Sequence, residues 1–197
     1  MRSPLFAAVC LSLCSSLAFA AEVGDTLKAV ELQSSDDTNQ VIPDFGKKVI
    51  ALFYTDADVS DMNDPLADAI KAKEFDQRFY RGLGVANLQD SKAPNFLIRS
   101  IVKGKVEKYK STILLDPNLT LASAWGFGDC NNQSVVVVIG ADKKVKYLHK
   151  GPVRGAAEID GVVKLIETLV VEMRGSAEPA ATPTPAPTPA GEPAPTP

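Results

Sequence analysis

The side chains with chemistry to offer fall in two short stretches. In "ALFYTDADVSDMNDPL", Ala51 to Leu66, an apolar run ends in a turn that carries Asp56, Asp58, Asp61 and Asp64. In "WGFGDCNNQS" stands Cys130. Carboxylates grouped on a turn can bond the free N–H groups of a helix start, where the macrodipole adds about 0.3–1 kcal/mol each. They can also ligate a divalent cation. Asp56-x-Asp58-x-Ser60 matches the opening of a calcium loop, but the sixth position is Asp61 rather than Gly and the twelfth is Ala67 rather than Glu. Capping is the expectation for Asp61 and Asp64. Asp56, Asp58 and Asp61 remain as a looser cation set.

Cys130 lies in the loop before a valine-rich strand. A thiol acts as nucleophile or mixed-disulfide partner only as the thiolate, and a lone cysteine is more commonly buried and inert. His149 is the sole histidine. A zinc site would need further ligands beside it, and a Ser-His-Asp triad would need a G-x-S-x-G elbow that the sequence lacks. His149 is therefore expected on the solvent face of a strand. Trp125 and Phe127, each followed by glycine, fit either the core or the rim of a shallow pocket near Cys130.

The elements that must position these residues follow from composition and periodicity. The 197 residues carry a formal charge of −3, and 45% of them are hydrophobic. That suffices for one ordinary core and gives no basic face for nucleic acid. Residues 1–20 read as a cleavable signal peptide: Arg2, an apolar run from Leu5 to Leu17, and Ala18-Phe19-Ala20 as the cleavage site. Cleavage after Ala20 would deliver the chain to the periplasm and remove Cys10 and Cys14. Cys130 then has no partner for an internal disulfide. Val9 and Leu13 precede those two cysteines where a lipoprotein signal needs a small residue. Nothing later reaches the run of about 18 apolar residues that a membrane helix requires. From Gly175 the chain reads "GSAEPAATPTPAPTPAGEPAPTP", an expected extended tail over 175–197.

Between residues 21 and 174 strands and helices alternate. "KKVIALFY" (Lys47–Tyr54) reads as a strand buried on both faces. In "DPLADAIKAKEFDQRF" a helix follows, with Asp64 as N-cap and Pro65 at the first helical position. "GLGVANL" (Gly82–Leu88) and "STILLD" (Ser111–Asp116) are further strands. Between them Pro94 opens a helix in which Phe96, Leu97 and Ile101 share a face and Gly104 can end the helix. "NLTLASAWGFG" is a short helix or helical turn. "SVVVVIG" (Ser134–Gly140) and "KVKYLHK" (Lys144–Lys150) form a hairpin across Ala141–Lys143. Ile159, Val162, Val163, Ile166, Leu169, Val170 and Met173 lie on one stripe of a final helix.

This order resembles the thioredoxin fold in its extracytoplasmic peroxiredoxin-like form. "NQVIPDFGKKVIALFY" is similar to the lead-in strand of such proteins, and "SVVVVIGADKKVKYLHKGPV" to their hairpin. "NLQDSKAPNFLIRSIVKGKVEKYKSTILLDPNLTLASAWGF" resembles the YtfJ family of periplasmic proteins. The resemblance implies an α/β, thioredoxin-like mixed sheet with parallel central strands, a C-terminal hairpin and helices on both faces. It also places Asp58 and Asp61 where a C-x-x-C would stand, and Ser134 near the position of the fold's cis-proline. Thr55 matches a peroxiredoxin threonine, but no cysteine follows it. What this implies is a scaffold without its catalytic centre: a non-catalytic binding or accessory protein of the cell envelope, with no cofactor, whose partner is an envelope protein or small ligand. The alternatives are a one-thiol oxidoreductase acting through Cys130 and a divalent-cation module at Asp56, Asp58 and Asp61.

Overall fold

The computed structural model describes residues 20–34 and 38–177. The expected signal segment up to residue 19 and the proline-rich segment from 178 onward lie outside the described residues. Among the described residues seven strands form one sheet in the order β2-β1-β5-β4-β3-β6-β7. They are β1 (Glu31–Gln33), β2 (Asn39–Val41), β3 (Val49–Asp56), β4 (Tyr80–Asn87), β5 (Thr112–Asp116), β6 (Ser134–Ile139) and β7 (Val145–Lys150). β3, β4 and β5 are parallel. β6 runs antiparallel to β3 and β7 antiparallel to β6.

β3 is central because its sequence suits no other place. Val49, Ile50, Ala51, Leu52 and Tyr54 are all buried, so both faces of the strand must be covered. The pleat sends Ile50, Leu52 and Tyr54 into one cluster with Leu83, Val85, Val135, Val137 and Ile139. That cluster is closed by Leu121 and Ala122 of α3 (Thr120–Ala124), by Trp125, and by the leading segment through Leu27 and Val30. Val49, Ala51, Val136 and Val138 face the other way, against α1 (Asp64–Ala72) and α4 (Ala156–Ala177). Burying each Val, Leu or Ile contributes about 1.5–3 kcal/mol, so the two clusters rather than any ion pair hold the sheet. Helices thus lie on both faces, as expected.

α4 buries Val162, Val163, Ile166 and Val170, with Ile159, Leu169 and Met173 partly covered. It runs to Ala177, three residues past Arg174. The first proline comes only at 179, and the Ser176 hydroxyl donates back to the Glu172 carbonyl at 2.9 Å.

Other expectations need correction. α1 has Asn63, not Asp64, at its N-cap, with Pro65 in its first turn. The Asn63 side chain is occupied elsewhere. It donates to the Gly151 carbonyl at 3.1 Å and accepts from the Val153 N–H at 2.8 Å, pinning the start of α1 to the loop before α4. Asp64 is instead the first helical residue and pairs with Lys105. α1 also ends at Ala72, and Glu74 takes a positive φ of 48° beyond it.

α2 (Asn95–Tyr109) passes straight through Gly104 and ends at Lys110 in the left-handed region. Among its described side chains Ile98 and Val102 are buried, packed on Ala57, Ala86 and Leu115. Phe96 is 76% exposed and Leu97 45%. The β1–β2 hairpin was not anticipated; its strands have three residues each, too few to show alternation.

Candidate functional site

In open α/β sheets ligands bind outside the carboxyl ends of the parallel strands. Here those ends carry a row of polar residues in register. Asp56 of β3 is paired with Asn87 of β4, and Asn87 with Asp116 of β5. All three are fully buried. Each strand therefore ends on a side chain that can bond the backbone of the loop it enters, the behaviour that suits Asp and Asn to turns.

The bonds are specific. Asp56 accepts from the Asp58 N–H at 3.0 Å and, through its other oxygen, from the Asn132 N–H at 2.7 Å. It thereby caps the 3-10 turn Ala57–Val59 and ties it to the Cys130 loop. Asn87 accepts from the Gln89 N–H at 3.0 Å and donates to Asp90 at 2.8 Å. Asp116 accepts from the N–H groups of Thr120 at 2.7 Å and Leu121 at 2.9 Å, so it caps α3, and also from the Tyr54 hydroxyl at 3.2 Å. Beside them the hydroxyls of Thr55 and Ser134 bond each other at 2.8 Å. Among the described residues no buried side-chain nitrogen or oxygen lacks a partner. Burial pushes the Tyr54 hydroxyl strongly up, with Asp116 adding to the effect, so Tyr54 serves as a donor.

The three aspartates singled out by sequence do not act as a set. Asp56 turns inward. Asp58 is exposed and reaches across to the loop before α2, accepting from the Ser91 hydroxyl at 2.7 Å and the Lys92 N–H at 3.1 Å. Asp61 is exposed, and its carbonyl accepts the Asp64 N–H at 3.0 Å. Among the described residues no three His, Cys, Asp or Glu side chains come together as a metal-binding group. Asp58 also lies in the 3-10 turn, while α1 starts only at Asp64. A thiolate at that position would stand away from the helix dipole that lowers a catalytic thiol.

The bonds from the Lys92 N–H and then the Ser91 hydroxyl hold the Asp58 carboxyl below its usual range. Its folded-state pKa is therefore lower than that in the unfolded chain. The associated stability is present above the ordinary carboxyl range and is lost as pH falls through the folded value. Carbon-13 titration of the Asp58 carboxyl should give a midpoint below 3.8, moving upward in Ser91→Ala; a midpoint at or above 3.8 would contradict the bonds.

Cys130 is 2% exposed, and its Sγ faces the Gly128 carbonyl at 3.4 Å. Burial pushes the thiol up, the Lys150 ammonium works against that, and Asp90, Asp129 and Asp116 reinforce it. The Lys150 ammonium is itself bonded to the Phe127 carbonyl at 2.9 Å. Trp125 and Phe127 belong to the core and not to a pocket rim: both are buried, their rings meet edge to face at 5.9 Å, and the Trp125 indole N–H donates to the Lys28 carbonyl at 2.9 Å. His149 is partly exposed, stacks on Tyr147, and has Glu158 at 3.6 Å.

Sequence reasoning missed Asn87 and Asp116. The signal was there: "YTDAD", "VANLQD" and "LLDPN" each end an apolar strand on Asp or Asn just before polar residues.

The comparisons agree with this architecture. The protein shares 28% identity over 109 residues with an uncharacterized protein of Haemophilus influenzae, a match over 54% of this chain and 58% of that relative. The chain thus spans well under two thirds of that relative's length. Among solved structures it is similar to a candidate protein disulfide isomerase of Bacteroides thetaiotaomicron, with TM-score 0.58 and 17% identity over 82% of this chain and 98% of that one. It is also similar to the peroxidoxin BcpB of Mycobacterium tuberculosis, with TM-score 0.55 and 20% identity over 76% and 98%. At such identities these likenesses establish the thioredoxin-like fold alone. Residues 33–169, most of the described chain, match a bacterial family of unknown function, and on that match the chain belongs to the YtfJ_HI0045 family.

Proposed function

We propose that this protein is a non-catalytic binding or accessory protein of the bacterial envelope, built on a thioredoxin scaffold without dithiol chemistry. One observation carries the proposal. The buried carboxyl groups at the strand ends are spent on the chain's own backbone: Asp56 on Asp58 and Asn132, Asp116 on Thr120 and Leu121. A redox or acid–base site needs a group held ready for substrate. The secretory location is supported by Arg2, the apolar run to Leu17 and Ala18-Phe19-Ala20. Exposed Phe96 and Leu97, close in sequence to the Ser91–Lys92 segment that holds Asp58, support a partner surface at this edge.

The alternative in which Cys130 works alone makes a different forecast. A buried thiol with a raised pKa reacts slowly, because the thiolate is scarce and shielded. Native protein at neutral pH is expected to resist both iodoacetamide and oxidised glutathione for hours, while protein in concentrated urea is modified fully at Cys130. Rapid glutathionylation of the native chain at Cys130, read by mass, would contradict the proposal and favour the one-thiol enzyme.

A further inference from the structure

The sheet face that carries α1, α2 and α4 holds a hollow. The cluster around α1 and α4 and the cluster around α2 are separate. Between them runs a groove of about 360 Å3, floored by β3 and β4 and walled by α1 and α2. On this face β4 contributes Gly82 and Gly84, in a central strand where bulky side chains are usual. A Cβ at Gly84 would come within 3.0 Å of Ile113 Cγ1 and one at Gly82 within 3.2 Å of the Tyr80 hydroxyl, so the two glycines let the Ile113 and Tyr80 side chains, which also line the groove, lean across its floor. Glycine inside a strand marks close approach of something other than its own side chain.

Apolar side chains on the walls include Ile70 from α1, and Ile98 and Val102 from α2, beside charged Lys71 and Lys105. Across the top the two helices are joined by ions rather than by packing. Asp64 pairs with Lys105 and Lys108, and Asp68 with Lys108 at 3.1 Å. At the end where both helices finish, Lys71 and Lys110 line the groove without any carboxylate partner among the described residues, against a single carboxylate, Glu74. The Lys71 ammonium reaches only the Lys108 carbonyl and the face of Tyr109. In a chain of net charge −3, this end of an apolar groove is locally cationic. The volume is near the small end of the roughly 300–1,000 Å3 typical of ligand sites, which suits one chain and not two.

We propose that this groove binds a single-chain anionic amphiphile, a medium-chain carboxylate whose alkyl chain lies between α1 and α2 against the β3–β4 floor and whose head pairs with Lys71 and Lys110. The proposal deepens the reading of the protein as a non-catalytic binder by naming a site and a ligand class.

The test is titration of the full chain with decanoate below its micelle concentration, by calorimetry and by methyl NMR. One saturable site is expected, with shifts concentrated on Ile70, Ile98 and Val102. Decan-1-ol should bind about tenfold or more weakly, the loss of charge-assisted hydrogen bonds to the head. Lys71→Gln with Lys110→Gln should lower decanoate to the affinity of the alcohol, and Ala67→Trp, on the α1 wall of the groove, should block it. Equal affinity for acid and alcohol, methyl shifts confined to other faces, or absence of saturation would each overturn the proposal. The NMR result on the unaltered chain decides the matter even if a variant fails to fold. Absence of decanoate binding in a protein that also fails to reduce insulin removes this site alone. Insulin reduction with intact decanoate binding removes the non-catalytic reading alone.

Discussion

Asp116→Ala is expected to destabilise the protein by about 3–5 kcal/mol, a large share of the roughly 5–15 kcal/mol that holds a domain together. The carboxyl is fully buried and accepts from three donors: the Tyr54 hydroxyl and the N–H groups of Thr120 and Leu121. Alanine leaves them facing a small apolar gap. Each buried donor without an acceptor costs about 1–3 kcal/mol, and the start of α3 can relax toward water enough to recover part of the sum. Asp116→Asn keeps one acceptor oxygen and should cost less, about 2 kcal/mol. Asp61→Ala is the control: its side chain is exposed, and the change should stay within about 0.5 kcal/mol. Urea unfolding followed by circular dichroism measures all three, with an unchanged slope showing that the denatured state is the same. A loss below about 1 kcal/mol for Asp116→Ala would mean that its bonds do not organise the sheet end.

Trp125→Ala should be comparably severe, about 3–5 kcal/mol. The indole is fully buried, stacked on Phe45 at 6.1 Å and edge to face with Phe127 at 5.9 Å. Its N–H satisfies the Lys28 carbonyl, so the truncation opens a cavity and also strands an acceptor. For a domain of this size each kcal/mol lowers the melting temperature by about 2–4 °C, which puts the fall at roughly 6–20 °C. Trp125 is the sole tryptophan, and its fluorescence should be blue-shifted in the native state and move to the red on unfolding. A fall of less than about 3 °C would return Trp125 to the rim of a pocket.

Much of the fold was legible because its signals are local. Val135 to Val138 can be little other than a buried strand, and the stripe from Ile159 to Met173 admits one face for α4. α2 was legible as a helix but not in its rotation. Phe96, Leu97 and Ile101 make as good a stripe as Ile98 and Val102, and the choice is made by Ala57, Ala86 and Leu115, which the helix meets only in the folded sheet. The N-cap of α1 was misplaced by one residue because Asn63 is claimed by Gly151 and Val153, distant in sequence.

The candidate site was half legible. That the turn after β3 carries aspartates and no cysteine was visible in the sequence. The row Asp56, Asn87 and Asp116 needed the parallel register that places three strand ends side by side. The groove above Gly82 and Gly84 depends on what the neighbouring helices leave uncovered, which no spacing in the sequence encodes.

The proposed non-catalytic role requires that this scaffold carry no thiol–disulfide chemistry. Insulin reduction in dithiothreitol, followed by turbidity, tests it most directly, with a C-x-x-C thioredoxin as positive control. The account predicts a rate equal to that of the protein-free blank for the unaltered chain and for Cys130→Ser alike. A rate clearly above the blank in the unaltered chain, abolished in Cys130→Ser, would contradict it.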